Sequence, residues 1–260
     1  MRIIDCSACI GLDSVNRVIV NHENYPVIER VRQLEHAGDL LAEMDFAGIS
    51  EAYVWHQAMY DTDPTYGNAA LTPEIAGKPR LHATWTILPP ITEADYIPET
   101  LLPAMKAHGV RALRAFPQRN RYFLDRVTMG ELLDVLDERH IPLYLTPMEN
   151  WEHIFAAMKE FPNLTVILTN YGLWGSDRYF YPLIRAYKNL YIDTSDYQVI
   201  NGLPAFVNQY GSERLLFGSN MPMDNYGGPL CTLLGAGLKQ DDLENIAYKN
   251  IERVMGGAAL

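Results

Sequence analysis

Ser7, Cys9, His56, Trp85, Arg114, Thr146, Asn170, Asp193 and Asn220 each stand at the end of a strand-like run, and their side chains define the chemistry open to this chain. The first two lie in Asp5-Cys6-Ser7-Ala8-Cys9-Ile10-Gly11, where a hydroxyl and a thiol recur two residues apart, the spacing of one strand face. A serine hydroxyl is a poor ligand for a catalytic Zn²⁺ and a single thiolate needs partners, so no metal or other cofactor is expected here. Cys9 is a candidate nucleophile if a neighbour such as His56 lowers its pKa, and otherwise an inert buried thiol. Arg114 interrupts the mostly apolar run Val110 to Phe116, so it must pair with an acid such as Asp193 or offer its planar fork to an anion. Asp193 reads as a general base or as part of a hydrogen-bonded turn through Asp193-Thr194-Ser195-Asp196. His56, Asp193 and Cys9 are thus the catalytic candidates, and Arg114, Ser7, Trp85, Thr146, Asn170 and Asn220 the candidate binding residues.

The elements that must hold these side chains repeat one phrase: a periodic helix, a Gly, Pro or Asn break, then a short β-branched or aromatic run. Leu34 to Ala47 is followed by Gly48 and the strand Glu51 to His56; Leu101 to His108 by Gly109 and Val110 to Phe116. Leu132 to Arg139 leads to Leu143–Thr146, Trp151 to Phe161 to Leu164–Thr169, Tyr181 to Tyr187 to Leu190–Asp193, and Ala205 to Tyr210 to Arg214–Gly218. With Ile3-Ile4 and His82 to Ile87, about eight strands alternate with helices, which predicts a (β/α)8 TIM barrel spanning residues 1–260 as one α/β domain. The interval 57–80 is expected to place a loop over the barrel mouth before a helix. In such barrels the chemistry belongs to the carboxyl ends of the strands. That rule favours His56, brings His22 and His153 near the mouth, puts His36 within a helix, and sends His82, His108 and His140 to the opposite face.

Composition narrows the partners. A formal net charge of -11 gives a phosphate backbone nothing to hold, which excludes nucleic acid. The amino terminus reads as a strand and no apolar run is long enough to cross a bilayer, so no membrane partner and a cytoplasmic location are expected. Three cysteines without zinc-ribbon spacing imply reduced thiols. A small-molecule carboxylate or other anionic metabolite is the expected partner, with self-association into a homo-oligomer left open.

The whole chain resembles the amidohydrolase superfamily in its amidohydrolase-related branch, which contains pyrone-dicarboxylate lactonases and metal-dependent decarboxylases of unsaturated or aromatic acids. The resemblance runs through Asp5 to Gly11, similar to the family's Asp-x-His-x-His-x-Gly, and Phe161 to Leu164, Asn189 to Ser195, Leu216 to Pro222, similar to Phe-Gly-Ser-Asp-x-Pro, and Asn245 to Met255. By that resemblance Ser7 and Cys9 stand for the two first-strand histidines, Thr146 and Asn170 for the histidines of strands five and six, and Asn220 for the eighth-strand aspartate. Every implied metal ligand is replaced by a small polar residue. Two readings follow. One is a metal-independent hydrolase or lactonase for a small carboxylated substrate, with Arg114 on the carboxylate, His56 or Asp193 moving protons, and Asn170, Asn220 and Arg114 serving a developing oxyanion. The other is a catalytically silent barrel that binds a metabolite or partner, and a decarboxylase-like lyase is a further possibility within the enzyme class.

Overall fold

The computed structural model describes residues 1–11, 34–90, 96–171, 176–197 and 199–260; His22 lies outside them. Eight strands run β1 (Ile4–Ile10), β2 (Glu51–His56), β3 (Leu81–Thr86), β4 (Ala112–Arg114), β5 (Leu143–Leu145), β6 (Val166–Leu168), β7 (Leu190–Asp193) and β8 (Leu215–Leu216). Each is parallel to the next and the spatial order is the sequence order. Backbone bonds from the Cys6 amide to the Phe217 carbonyl and from the Cys9 amide to the Met221 carbonyl, both 2.8 Å, draw the end of the sheet back against β1. The result is a (β/α)8 TIM barrel.

Helices fill the crossovers: α1 (Ala37–Ala47), α2 (Ala58–Asp61), α3 (Pro64–Ile75), α4 (Pro98–His108), α5 (Arg126–Glu138), α6 (Trp151–Glu160), α7 (Asp177–Ala186), α8 (Gly202–Tyr210), α9 (Gly227–Leu234), α10 (Gln240–Glu244) and α11 (Asn250–Gly256). Gly48 and Gly109 stop α1 and α4 in the left-handed conformation, as their places in the sequence predict. Two expectations are corrected. The interval 57–80 is mostly helical, because the Asp63 carboxylate accepts the Thr65 and Tyr66 amides and Pro64 opens α3 at its first position. His36 is the N-cap of α1, its Nδ1 3.1 Å from Glu74 of α3, rather than a residue inside the helix.

Strand register decides which side chains reach the site. Thr84 pairs with Ala112 and Thr86 with Arg114, while Trp85 pairs with Leu113. Alternate residues face opposite sides of a sheet, so Thr84, Thr86, Ala112 and Arg114 point inward and Trp85 and Leu113 outward. The barrel interior is a small apolar cluster of Ile4, Cys6, Ala112, Tyr144, Ile167 and Leu216, joined from below by Ile251, Val254 and Met255 of α11. Arg111, just before β4, donates to the Met255 carbonyl at 2.9 Å, which fixes α11 across the amino-terminal end. The opposite end carries the polar residues.

Candidate active site

Arg114 ends β4 and crosses the barrel interior at 3% exposure. Its Nη2 donates to Ser7 Oγ of β1 at 2.7 Å and its Nε to Thr84 Oγ1 of β3 at 3.2 Å. The guanidinium lies 4.3 Å from the centroid of the Tyr144 ring and 5.3 Å from that of Trp55, a cation–π seat on two strands. Tyr144 is held by its hydroxyl, which donates to the Cys6 carbonyl at 2.7 Å. Arg114 forms no ion pair with a carboxylate of any described residue, so the salt bridge to Asp193 that the sequence allows is not made. Burial presses the pKa of Arg114 down, opposed by its neighbours Tyr144, Cys6, Cys9 and Asp193. The side chain stays charged, because a guanidinium does not release its proton in a protein. A buried, unpaired cation is costly, and the cost is removed when an anion docks.

Asp193 ends β7 at 1% exposure. Its Oδ1 accepts the Ser195 hydroxyl at 2.6 Å and the Ser195 amide at 3.1 Å, whereas its buried Oδ2 has no hydrogen-bond partner. Burial pushes its pKa up to about 7, against the pull of the Ser195 bonds. With Oδ1 already receiving two donors, the proton of the neutral acid belongs on Oδ2. Gly218 makes this placement possible: a Cβ there would sit 2.9 Å from both Cβ and Cγ of Asp193. Asp5 plays a different part. Its buried carboxylate accepts the Ser7 and Ser219 amides, each 3.1 Å, and the Ser219 hydroxyl, which ties β1 to the exit of β8.

The other expected residues are distributed less simply. His56 ends β2 with its Nδ1 accepting the Ala58 amide at 3.1 Å, so its ring proton sits on Nε2. Burial lowers its pKa, and the ring is neutral near pH 7. The ring packs on Gly11, where a Cβ would come within 2.3 Å of it. Cys9 is buried with Sγ 3.5 Å from Gln57 Oε1 and 3.3 Å from the Ile10 carbonyl, the setting of an inert thiol rather than of a nucleophile beside His56. Thr146 is buried and caps the 3-10 turn Pro147–Glu149 through the Met148 amide. Asn220 donates to Asp224 at 2.8 Å, and Asn170 lies near enough to Asp196 to oppose the rise that burial gives the pKa of that acid. Trp85 is a correction: its ring lies 5.5 Å from His108 of α4, on the helical side of β3 and away from the interior. Thr84, Tyr144 and Trp55, which sequence reasoning did not select, build the seat of Arg114. The inward parity of β2, β3 and β5 is the signal that would have found them.

A family model described as Amidohydrolase matches residues 28–257. The chain belongs to this amidohydrolase family. Solved structures agree on the fold. A TIM-barrel protein from Bordetella bronchiseptica is 20% identical with a TM-score of 0.73, each chain covered to 99%. A dihydroxybenzoic acid decarboxylase from Polaromonas, solved with bound manganese, is 15% identical with a TM-score of 0.70, covering 98% of this chain and 97% of its own. A 4-oxalomesaconate hydratase from Rhodopseudomonas palustris is 17% identical with a TM-score of 0.66, at 98% and 96% coverage. Among curated proteins, none matches the sequence.

The residues of this amidohydrolase do not suit the metal of its relatives. Among the described residues no three of His, Cys, Asp and Glu are grouped to hold an ion. At the implied ligand positions Ser7 is engaged by Arg114, Cys9 lies against Gln57, Thr146 caps a turn, Asn220 donates to Asp224, and Asn170 offers a neutral amide. Neutral hydroxyls and amides do not offer the imidazole or carboxylate donors that such ions require.

Proposed function

We propose that this barrel binds a small monocarboxylate at Arg114 and acts on it as a decarboxylase-like lyase, with Asp193 as the proton donor. The observation that carries the reading is the buried guanidinium of Arg114, seated by Ser7, Thr84, Tyr144 and Trp55 and paired with no acid of the described residues. Loss of CO₂ breaks the bond between the carboxyl and its neighbouring carbon, and the electron pair stays on that carbon. The Arg114 guanidinium is the cation that would hold the charge spreading onto a substrate oxygen. The carbon then takes the proton from Asp193 Oδ2, and solvent returns a proton to the carboxylate. Oδ2 is covered in the unliganded chain, so entry of the ligand has to uncover it.

A hydrolase or lactonase fits less well. It needs donors for an oxyanion, and the Asn220 amide donates to Asp224 instead. The fold neighbours named for decarboxylation and hydration add to the lyase reading. The test is calorimetric titration with benzoate and 2-hydroxybenzoate, followed by measurement of released CO₂. Binding with CO₂ release is the expected result. Binding without turnover turns the chain into a silent metabolite-binding barrel, and no binding to wild type removes the reading.

A further inference from the structure

We propose that the Arg114 guanidinium stands in the place where a metal-binding relative of this barrel holds its ion, supplying as a fixed organic cation the positive charge that the ion would supply. The inference rests on the reading of Arg114 as the anchor of the ligand. Its evidence is a juxtaposition. Ser7 occupies the first implied ligand position of β1, and the group bonded to its Oγ at 2.7 Å is not a metal but Nη2 of Arg114, reaching over from β4. Cys9, at the second implied position, lies buried on the same strand.

Sterics make the exchange reciprocal. A histidine at position 7 would put its Cγ near the place of the serine Oγ, well inside van der Waals contact with Nη2. The small residue is therefore the condition for the guanidinium to enter. Charge makes the exchange exclusive, because a second cation a few ångströms away in a buried site would be strongly repelled. The seat is also built rather than incidental. Thr84 takes Nε, Tyr144 lies under the plane and is itself fixed on the Cys6 carbonyl, and the charge is left unspent by any acid of the described residues. A neutral serine and a permanent cation replace a neutral histidine and a bound one, so the mouth keeps a positive centre.

The test compares Zn²⁺ binding by chelator-treated wild type, S7H/C9H, Arg114→Met and S7H/C9H/R114M, using calorimetry. Wild type and Arg114→Met lack donors and should not bind. S7H/C9H should bind Zn²⁺ at least tenfold more weakly than S7H/C9H/R114M, because only removal of the guanidinium frees the space. Equal affinity of those two, or no Zn²⁺ binding by the triple variant, overturns the proposal. Should the histidine variants fail to fold, Ser7→Cys changes a single atom and adds a thiol to β1 at the first implied position, two residues before Cys9. Cd²⁺ should then produce a thiolate charge-transfer band in S7C/R114M and a much weaker one in Ser7→Cys alone, and equal bands overturn the proposal. Titration of benzoate into wild type judges the carboxylate reading separately. A wild type that ignores benzoate defeats that reading, while the Zn²⁺ series still decides which group owns the space.

Discussion

Arg114 shows how one side chain sets the terms for its neighbours. Its fork is planar and is held at two nitrogens by Ser7 and Thr84, so lysine should not replace it: Arg114→Lys and Arg114→Ala should each weaken benzoate binding about ten- to a hundredfold, read by calorimetry. Because no acid of the described residues is paired with it, Arg114→Ala should leave no buried charge stranded among them, and its melting temperature should stay close to that of wild type. A large drop in melting temperature with unchanged affinity would make Arg114 a structural residue. The cysteines give a second check. Cys231 is exposed while Cys6 and Cys9 are buried, so a thiol reagent should modify Cys231 first and the other two only on unfolding. Rapid labelling of Cys9 that a carboxylate prevents would restore it to the mouth. Arg114 was legible in the sequence because a charge inside an apolar run has to be explained. What it faces was not, since Ser7 and Thr84 come from other strands and no local pattern announces a bond across a barrel.

At the level of the elements, the strand ends are shaped by close backbone approach. Gly218 follows β8 and lies against Asp193 of β7, with room for a hydrogen but not a methyl. Gly218→Ala should therefore destabilise the chain by about 1 to 3 kcal/mol in urea titrations and disturb the titration of Asp193. Full stability with an unmoved Asp193 titration would mean that the two strands part easily there. The alternation of helix and strand was readable from periodicity and from Gly48 and Gly109, and it carried the fold correctly. The segment 57–80 was not, because Asp61, Asp63, Pro64 and Gly67-Asn68 look like loop residues when the capping role of Asp63 is not weighed. The same segment supplies Asn68, whose side-chain amide bonds the Thr86 amide and carbonyl, each at 2.8 Å, and fixes the end of β3 beside Arg114.

The folded molecule as a whole inherits an unusual pH response from its buried acids. Asp193 titrates near 7 in the fold and near its ordinary 3.8 when unfolded, and burial shifts Asp5 in the same direction. Below the unfolded value both states are protonated and nothing is lost. Between about 4 and 7 the unfolded chain releases a proton that the folded chain keeps, so stability falls as pH rises and the loss is complete above about 7. Glu51, Glu74 and Glu244 are shifted downward, and their opposite effect acts only as pH falls below the ordinary glutamate range, whereas His56 and His153, held down by burial, oppose Asp193 as pH falls below about 6.5. Wild type should resist urea better at pH 5 than at pH 8, by up to a few kcal/mol. Asp193→Asn should remove much of that slope and melt higher than wild type at pH 8. The same pH slope in wild type and Asp193→Asn would place the Asp193 proton elsewhere. No sequence pattern could have revealed this, because the shift comes from burial and from an oxygen left without a partner.

The seal that Ile251, Val254 and Met255 of α11 make across the lower end of the barrel carries a kinetic consequence. Among the described residues that end is closed, so whatever enters above Arg114 leaves by the end at which it came in. On the proposed lyase reading a lingering product obstructs the next arrival, and inhibition by the decarboxylated product should be competitive with substrate.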